Sequence, residues 1–91
     1  MEHPANHVGD FAPHVGTAFA VADVAGVDLV LDKATPGPHQ PGAPREHPFT
    51  LVFTGPAGLA QQTWLLRHPI LGELAIFLVP IAEGRYEAVF N

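Results

Sequence analysis

The sequence has 91 residues, of which 47% are hydrophobic and 14% are charged, and its formal net charge is −5 at pH 7. A chain of this length forms one domain that can fold alone with little apolar surface to spare. The acidic charge argues against a nucleic-acid partner, because a polyanion would be repelled. The sequence has no cysteine, which excludes a disulfide framework and a thiolate zinc site.

The first third of the chain predicts one helical turn and two strands. Residues 1–9 are polar and are expected to be flexible. The stretch DFAPHVG over 10–16 predicts a short helical turn, which Asp10 caps and which Gly16 ends in the left-handed conformation. Alternating apolar residues then predict strands over 17–22 and 27–33.

A proline-rich segment separates these strands from the rest of the chain. It has five prolines in residues 34–48 and predicts a loop insertion within the domain. The stretch FTLVFTG over 49–55 is the clearest strand, because Phe49, Leu51 and Phe53 alternate with residues that face outward. Further strands are predicted over 63–69, 73–80 and 85–90. The sequence therefore predicts one all-β domain over residues 1–91, a small antiparallel sandwich or partly closed barrel of about six strands with one short N-terminal helical turn.

The sequence has six histidines, which raises the question of a metal site. Zinc requires three or four convergent ligands, but there is no His-x-His pair and no histidine pair spaced by four residues in a helical pattern. Five of the six adjoin a proline, which favours extended backbone at strand ends and in loops, where histidine tolerates a half-exposed position. We therefore predict no metal site. The histidines are His3, His7, His14, His39, His47 and His68.

Catalysis and cofactor binding also lack a suitable set of side chains. Asp28 and Asp32 share a strand face but lie about 13 Å apart, beyond the roughly 5–9.5 Å of a glycosidase pair. Serine and cysteine are absent, and neither the strand threonines nor Lys33 complete a set of nucleophile, base and orienting group. The stretch TGPAG over 54–58 lacks the lysine of a phosphate-binding loop. The sequence therefore predicts no catalytic residue, no cofactor and no enzyme activity.

Two aromatic side chains carry a polar group, Trp64 and Tyr86. We expect both in the core, with the indole N–H and the phenol O–H each reaching a loop carbonyl. The alternative is that they anchor an interface. The connection around Leu59 is expected to cover one end of the core.

The final hairpin is unusual because the first of its strands is apolar on both faces. One face can fill the domain core, and each large side chain of the other would forgo about 1.5–3 kcal/mol if it stayed in water. Depending on register, the residues left over are Phe77, Val79 and Val89, or else Ile76 and Leu78. We predict that Phe77, Val79, Val89 and Phe90 form an interface with another chain, either in a homo-oligomer or with an assembly partner. The alternative is that the N-terminal turn of the same chain covers them. The last strand is a candidate free sheet edge.

Three stretches together resemble a known family. DFAPHVGTAF near the start, FTLVFTGP in the middle, and HPILGELAIFLVP with GRYEAVFN at the finish are similar to a family of small uncharacterised bacterial proteins of about a hundred residues, a domain of unknown function. The resemblance implies a structural or assembly role, since members are often encoded beside phage-tail-like or tail-collar-like proteins. The segment 34–48 has no counterpart in the family pattern. The matching positions are fold-type residues outside any catalytic set, and include Phe11, Gly16, Phe19, Gln62, Leu71, Gly72, Phe77 and Pro80.

The sequence thus predicts a non-enzymatic structural or interaction module, an accessory component of a phage-tail-like or surface assembly. The alternative is a small-ligand-binding β-barrel with a cavity between Phe49, Phe53, Trp64 and Phe77, although so short a chain has little room for both a core and a pocket. The N-terminus lacks the features of a signal peptide, and no apolar stretch is long enough to span a bilayer. We expect a protein that is cytoplasmic as synthesised and that can be incorporated into an exported assembly.

Overall fold

The computed structural model describes residues 5–39, 41–42 and 47–91. Six antiparallel strands close into a barrel, and a short helical segment precedes them. This architecture confirms the predicted all-β class. The helix α1 spans Val8–Phe11 and continues as a 3₁₀ turn over Ala12–His14. The strands are β1 (Ala18–Val21), β2 (Asp28–Pro36), β3 (Phe49–Thr54), β4 (Gln62–His68), β5 (Gly72–Ala82) and β6 (Arg85–Phe90).

The order of strands around the barrel is β1-β2-β3-β6-β5-β4, and β4 pairs back with β1. The last strand of the hairpin, β6, lies between β5 and β3, and its pairing with β3 runs from Phe49–Phe90 to Thr54–Arg85. The prediction that β6 is a free edge is therefore wrong. Closure gives this strand a partner on each side, β3 along its whole length and β5 from Arg85 to Glu87, so it does not present the continuous row of unpaired backbone groups of a free edge.

Inward-pointing residues of all six strands form one apolar core. In β3 the alternation is complete, because Phe49, Leu51 and Phe53 are buried while the residues between them are partly exposed. Across the interior the rings of Phe19 and Phe53 meet edge to face, with centroids 5.3 Å apart. A six-stranded barrel holds little more than its own side chains. The buried apolar residues are Phe11, Phe19, Val21, Leu29, Leu31, Phe49, Leu51, Phe53, Leu66, Leu74, Ile76, Leu78, Tyr86 and Ala88.

The helical segment covers one end of the barrel, which we call the helix end. Phe11 is fully buried there, and its ring centroid lies 5.8 Å from that of Phe49 and 5.9 Å from that of Phe90. The rings of Phe49 and Phe90 stack at 4.4 Å. Gly16 ends the segment with a φ of 91°, as predicted for a left-handed exit.

The helix begins two residues earlier than predicted, because Asp10 caps it from inside the first turn. The Asp10 carboxylate accepts hydrogen bonds from the backbone N–H groups of Asn6 and His7, at 3.2 and 3.1 Å. A carboxylate in this position satisfies donors that precede the helix and that have no intrahelical partner. Of the segment 1–9 that was expected to be flexible, Val8 and Gly9 belong to α1 and residues 1–4 lie outside the described ones, so the expected flexibility stays a prediction.

Strand β2 is longer than predicted and takes up the start of the proline-rich segment. Residues 34–36 pair with β3 and belong to the strand. Pro36 is tolerated because it lies beyond the part of β2 that pairs with β1, so its missing N–H interrupts no ladder. The Gly37 N–H then donates to the carbonyl of Pro48 at 2.7 Å, and Pro48 is buried. Residues 40 and 43–46 of the predicted loop lie outside the described part of the chain.

The opposite end of the barrel, which we call the turn end, is closed by the connection between β3 and β4. The Tyr86 hydroxyl donates to the Pro56 carbonyl at 2.7 Å and accepts from the Leu59 N–H at 3.1 Å. The Trp64 indole N–H donates to the Ala60 carbonyl at 2.9 Å. Leu59 packs against the core. These contacts confirm the expected positions of Trp64, Tyr86 and Leu59.

Replacing residues 38–47 by a short Gly/Ser linker should change Tm by no more than about 4 °C, because loop-closure entropy depends weakly on loop length. The substitution keeps the bond between Gly37 and Pro48. Thermal unfolding followed by circular dichroism measures the change, and Pro48→Gly is the matched control that should lower Tm further. Loss of cooperative unfolding in the linker variant would show that the segment packs on the barrel as a lid.

Tyr86→Phe should lower the free energy of unfolding by about 1–3 kcal/mol, because the carbonyl of Pro56 and the N–H of Leu59 both lose their partner. Urea titration measures the loss, and the slope of the transition should stay unchanged because the core is intact. Trp64→Phe removes a single bond to an exposed carbonyl and serves as the milder control. An unchanged free energy in Tyr86→Phe would mean that water replaces the hydroxyl at both atoms.

Candidate functional site

The predicted interface residues lie on and around the outer side of the last hairpin. Phe77 and Val89 are each 51% exposed, and Val79 is partly exposed. Phe90 differs from them, because its ring stacks on Phe49 and contacts the helix end. Three of the four residues therefore point outward from β5 and β6, and the fourth belongs partly to the domain's own packing. Their role as an interface stays a prediction.

The register of the sheet arranges these side chains in rows across three strands. Glu87 on β6 is paired with Val79 on β5 and with Val52 on β3. The next outward residue of β6, Val89, is paired with Thr50. Directly paired residues of antiparallel strands share one face of the sheet. We call this outer surface the hairpin face, formed by Phe77, Val79, Glu87, Val89, Val52 and Thr50.

The backbone pairing between β5 and β6 ends partway along the hairpin face, and the two strands diverge beyond that point. Pairing between β5 and β6 runs from Ala82–Arg85 at the turn end to Val79–Glu87. Continuing the same register by two residues along each strand leads to Phe77 and Val89, where the pairing has ended. The most exposed apolar side chains of the hairpin face thus lie beside a stretch of β5 that pairs with β4 and not with β6.

The N-terminal segment, which was the alternative cover for these residues, lies at the helix end. Through Phe11 it reaches Phe90. It leaves Phe77 and Val89 about half exposed. Within the part of the chain that the structure describes, the outer side of the hairpin is therefore open.

Charged side chains of β2 and β6 lie at the border of the hairpin face and within it. Arg85 donates to the carboxylate of Asp32 at 3.4 Å, across the intervening strand β3. The sequence suggested that Asp28 and Asp32 lie on one solvated face of β2. Asp32 instead lies in an irregularity of the strand between Leu31 and Lys33. The half-buried Glu87 has no hydrogen bond or ion pair with any described residue.

A buried histidine forms the main polar centre of the helix end. His68 is 5% exposed, and its Nδ1 accepts the backbone N–H groups of Ile70 and Leu71 at 3.1 and 3.2 Å. Its Nε2 lies 3.0 Å from the Thr17 hydroxyl oxygen, and that hydroxyl donates to the carbonyl of His14 at 2.7 Å. Since Nδ1 is an acceptor, the ring proton is assigned to Nε2, which donates to Thr17.

Burial, together with the neighbouring ring of His14, lowers the pKa of His68 below its ordinary value. Sequence analysis assigned His68 a half-exposed position at a strand end, which is wrong because its side chain continues the inward row of Leu66. That two-residue spacing was the available signal. Both ring nitrogens are occupied by hydrogen bonds, so the ring has no lone pair to offer a metal.

Metal and membrane sites receive no support from the described residues. Among them, no group of three or more His, Asp or Glu side chains is arranged to hold a metal ion. Within the same ranges no helix has the length and apolar character needed to cross a membrane. The rings of His39 and His47 stack at 4.6 Å in the loop after β2, without a third ligand among the described side chains.

Comparison with known proteins gives one match. The pattern of a family described as Domain of unknown function (DUF6916) matches residues 7–90. Neither a curated protein nor a solved structure matches the chain. Because the match spans nearly the whole sequence, this chain belongs to that family.

Dialysis against a chelator should leave the melting temperature and the oligomeric state unchanged, since no described cluster binds a divalent ion. Differential scanning calorimetry and light scattering before and after dialysis measure both properties. Metal analysis of the dialysed protein is the control. A stoichiometric zinc or nickel ion that survives dialysis would contradict this prediction.

Proposed function

We propose that this protein is a non-enzymatic interaction module whose hairpin face is covered by another protein chain in an assembly. The observation that carries the proposal is the exposure of Phe77 and Val89, each 51%, on neighbouring strands of a small domain. An apolar patch bordered by polar side chains is typical of a protein–protein contact.

Apolar burial alone is too weak to hold such a partner. Phe77 and Val89 are each about half exposed, so covering them contributes on the order of 2 kcal/mol in total. Association costs roughly 4–15 kcal/mol in lost freedom of motion. The partner must therefore add polar contacts. Beside Phe77 the backbone of β5 is no longer paired with β6, so a strand of the partner can form hydrogen bonds there.

Glu87 indicates the charge of that partner. Its carboxylate lies between Val52 and Val79 at the centre of the hairpin face, without a described ion pair. A partner that covers the face removes water from this carboxylate, which is strongly unfavourable unless a cation replaces the water. We infer that the partner places a lysine or arginine against Glu87.

A second copy of the chain can supply this cation. Lys33 on β2 is paired with Val52, so it lies in the same row as Glu87 with one strand between them. In two copies related by a twofold axis parallel to β3, Lys33 of each copy faces Glu87 of the other. Such a contact is self-complementary, as a twofold interface requires.

The finer form of the proposal is an accessory component of a phage-tail-like or surface assembly. Its support is the resemblance of the sequence to proteins encoded beside tail-like components. The alternative, a small-ligand-binding barrel, has no observation in its favour. Phe49 and Phe53 point into the core while Phe77 points outward, so these residues line no common cavity.

Phe77→Glu and Val89→Lys should each weaken self-association at least tenfold while the barrel stays folded, since both side chains lie outside the core. Sedimentation velocity from micromolar to millimolar protein measures the association. The matched controls are Ile70→Glu and Val15→Lys, which change exposed apolar residues (74% and 45% exposed) away from the hairpin face. Equal effects in controls and variants would contradict a specific site.

Reversing the two unpaired charges tests the second copy as the partner. Glu87→Lys and Lys33→Glu should each weaken association, because like charges then face each other, and the double variant should restore it. If the wild type is monomeric at millimolar concentration, the partner is a different chain. Co-purification from the native host should then retain a protein that Ile70→Glu also retains and Phe77→Glu loses. Failure of both experiments would overturn the proposed function.

A further inference from the structure

The barrel closes through a short contact between its first and fourth strands. The pairing of β1 with β4 covers Ala20–Arg67 and Val21–Leu66, and the Ala22 N–H adds a bond to the Leu65 carbonyl at 2.9 Å. By comparison, β4 pairs with β5 along its whole length. We call the contact between β1 and β4 the closing seam. It has few backbone bonds, so side chains must contribute to holding it.

His68 extends the closing seam towards the helix end. Its ring lies 4.5 Å from that of Phe19 on β1, between centroids. Through Nδ1 it holds the turn after β4, and through Nε2 it holds Thr17, which in turn bonds the carbonyl of His14 in the 3₁₀ turn. One neutral ring therefore connects β4, the start of β1 and the helical segment.

This arrangement has no place for a second ring proton. A proton on Nδ1 would point at the N–H groups of Ile70 and Leu71, so three donors would meet without an acceptor. The ring is buried, and the only described titratable side chain packed against it is His14, at 4.7 Å between ring centroids. The next charged residues on β4 and β5, Arg67 and Glu73, are exposed and bond each other at 2.7 Å.

We propose that protonation of His68 opens the closing seam and releases β1 and the 3₁₀ turn from β4, while the pairing of β2, β3, β6 and β5 persists. The opened barrel presents the backbone edges of β1 and β4 and the ring of Phe19. Such edges are able to accept a strand from another chain.

The direction of the pH effect follows from the lowered pKa of His68. Above the ordinary value of 6.5 the ring is neutral in the closed and the open state, and the opening equilibrium does not depend on pH. Below 6.5 the open state takes up a proton that the closed state resists. The opening constant should then rise by up to about tenfold per pH unit, until the pH falls below the pKa of the closed state.

Hydrogen exchange between pH 7.5 and 5, corrected for the intrinsic exchange rate, tests the proposal on the full chain. The amide of Ala22, which bonds across the closing seam to the Leu65 carbonyl, should lose protection by up to about tenfold per pH unit below 6.5. Amides in the pairing of β3 with β6 should keep their protection. An equal loss in both regions would show global unfolding and overturn the proposal.

His68→Asn is the decisive variant. The Asn oxygen can accept the same N–H groups of Ile70 and Leu71 in an Asx turn, but it does not titrate. Protection at the closing seam should therefore become independent of pH between 7.5 and 5. His39→Gln, an exposed loop histidine, is the control that should behave as the wild type. If His68→Asn keeps the full pH dependence, another group is responsible and the proposal fails.

Thr17→Val supplies a second test should His68→Asn not fold. It removes the acceptor of the Nε2 proton and leaves Nδ1 and its two donors in place. We expect lower protection at the closing seam at every pH, with the dependence below 6.5 retained. A Thr17→Val protein whose seam no longer responds to pH would contradict the assignment of the acid-sensitive proton to Nδ1.

Discussion

A single interior shared by six short strands is the constraint on which this structure depends. A barrel of this size has room only for side chains, so each strand must direct alternate residues inward and fill the space completely. Strand β3 does this with Phe49, Leu51 and Phe53. Both ends of the barrel must also be closed, and Phe11 and Leu59 do so from segments outside the sheet. The outer surface is then what remains for binding.

Local alternation explains why most strands could be predicted and why their partners could not. The bounds of β6 coincide with the prediction over 85–90, because its pattern is visible within six residues. Its pairing with β3 depends on the closure of the whole barrel, and the sequence of neither strand specifies the other as its partner. The end of β2 was missed for a similar reason. A proline is typical of a loop, but the structure shows that Pro36 pairs with β3 and has no neighbour on the side where β1 would lie.

The same distinction between local pattern and strand pairing applies to the candidate sites. Counting along β5 separates Phe77 from Ile76 and Leu78 but does not decide which set points outward, and the structure buries Ile76 and Leu78 and exposes Phe77. The place of Glu87 between two valines requires the register of three strands, which the sequence does not contain. His68 was misread because the following proline suggested a strand end near the surface. It does end β4, but its row continues inward and the barrel end above it is covered by the helical segment.

The position of β6 in the middle of the sheet also governs how the protein can fold. During synthesis β1 to β4 emerge first, yet β3 lacks one neighbour until β6 leaves the ribosome. The nascent chain therefore exposes sheet edges and most of its apolar residues until its last strand is available. Contacts between segments so far apart in the chain are slow to form, and exposed strands aggregate. We expect the barrel to form only after β6 has been synthesised and to fold slowly for its length, with chaperone binding during the delay.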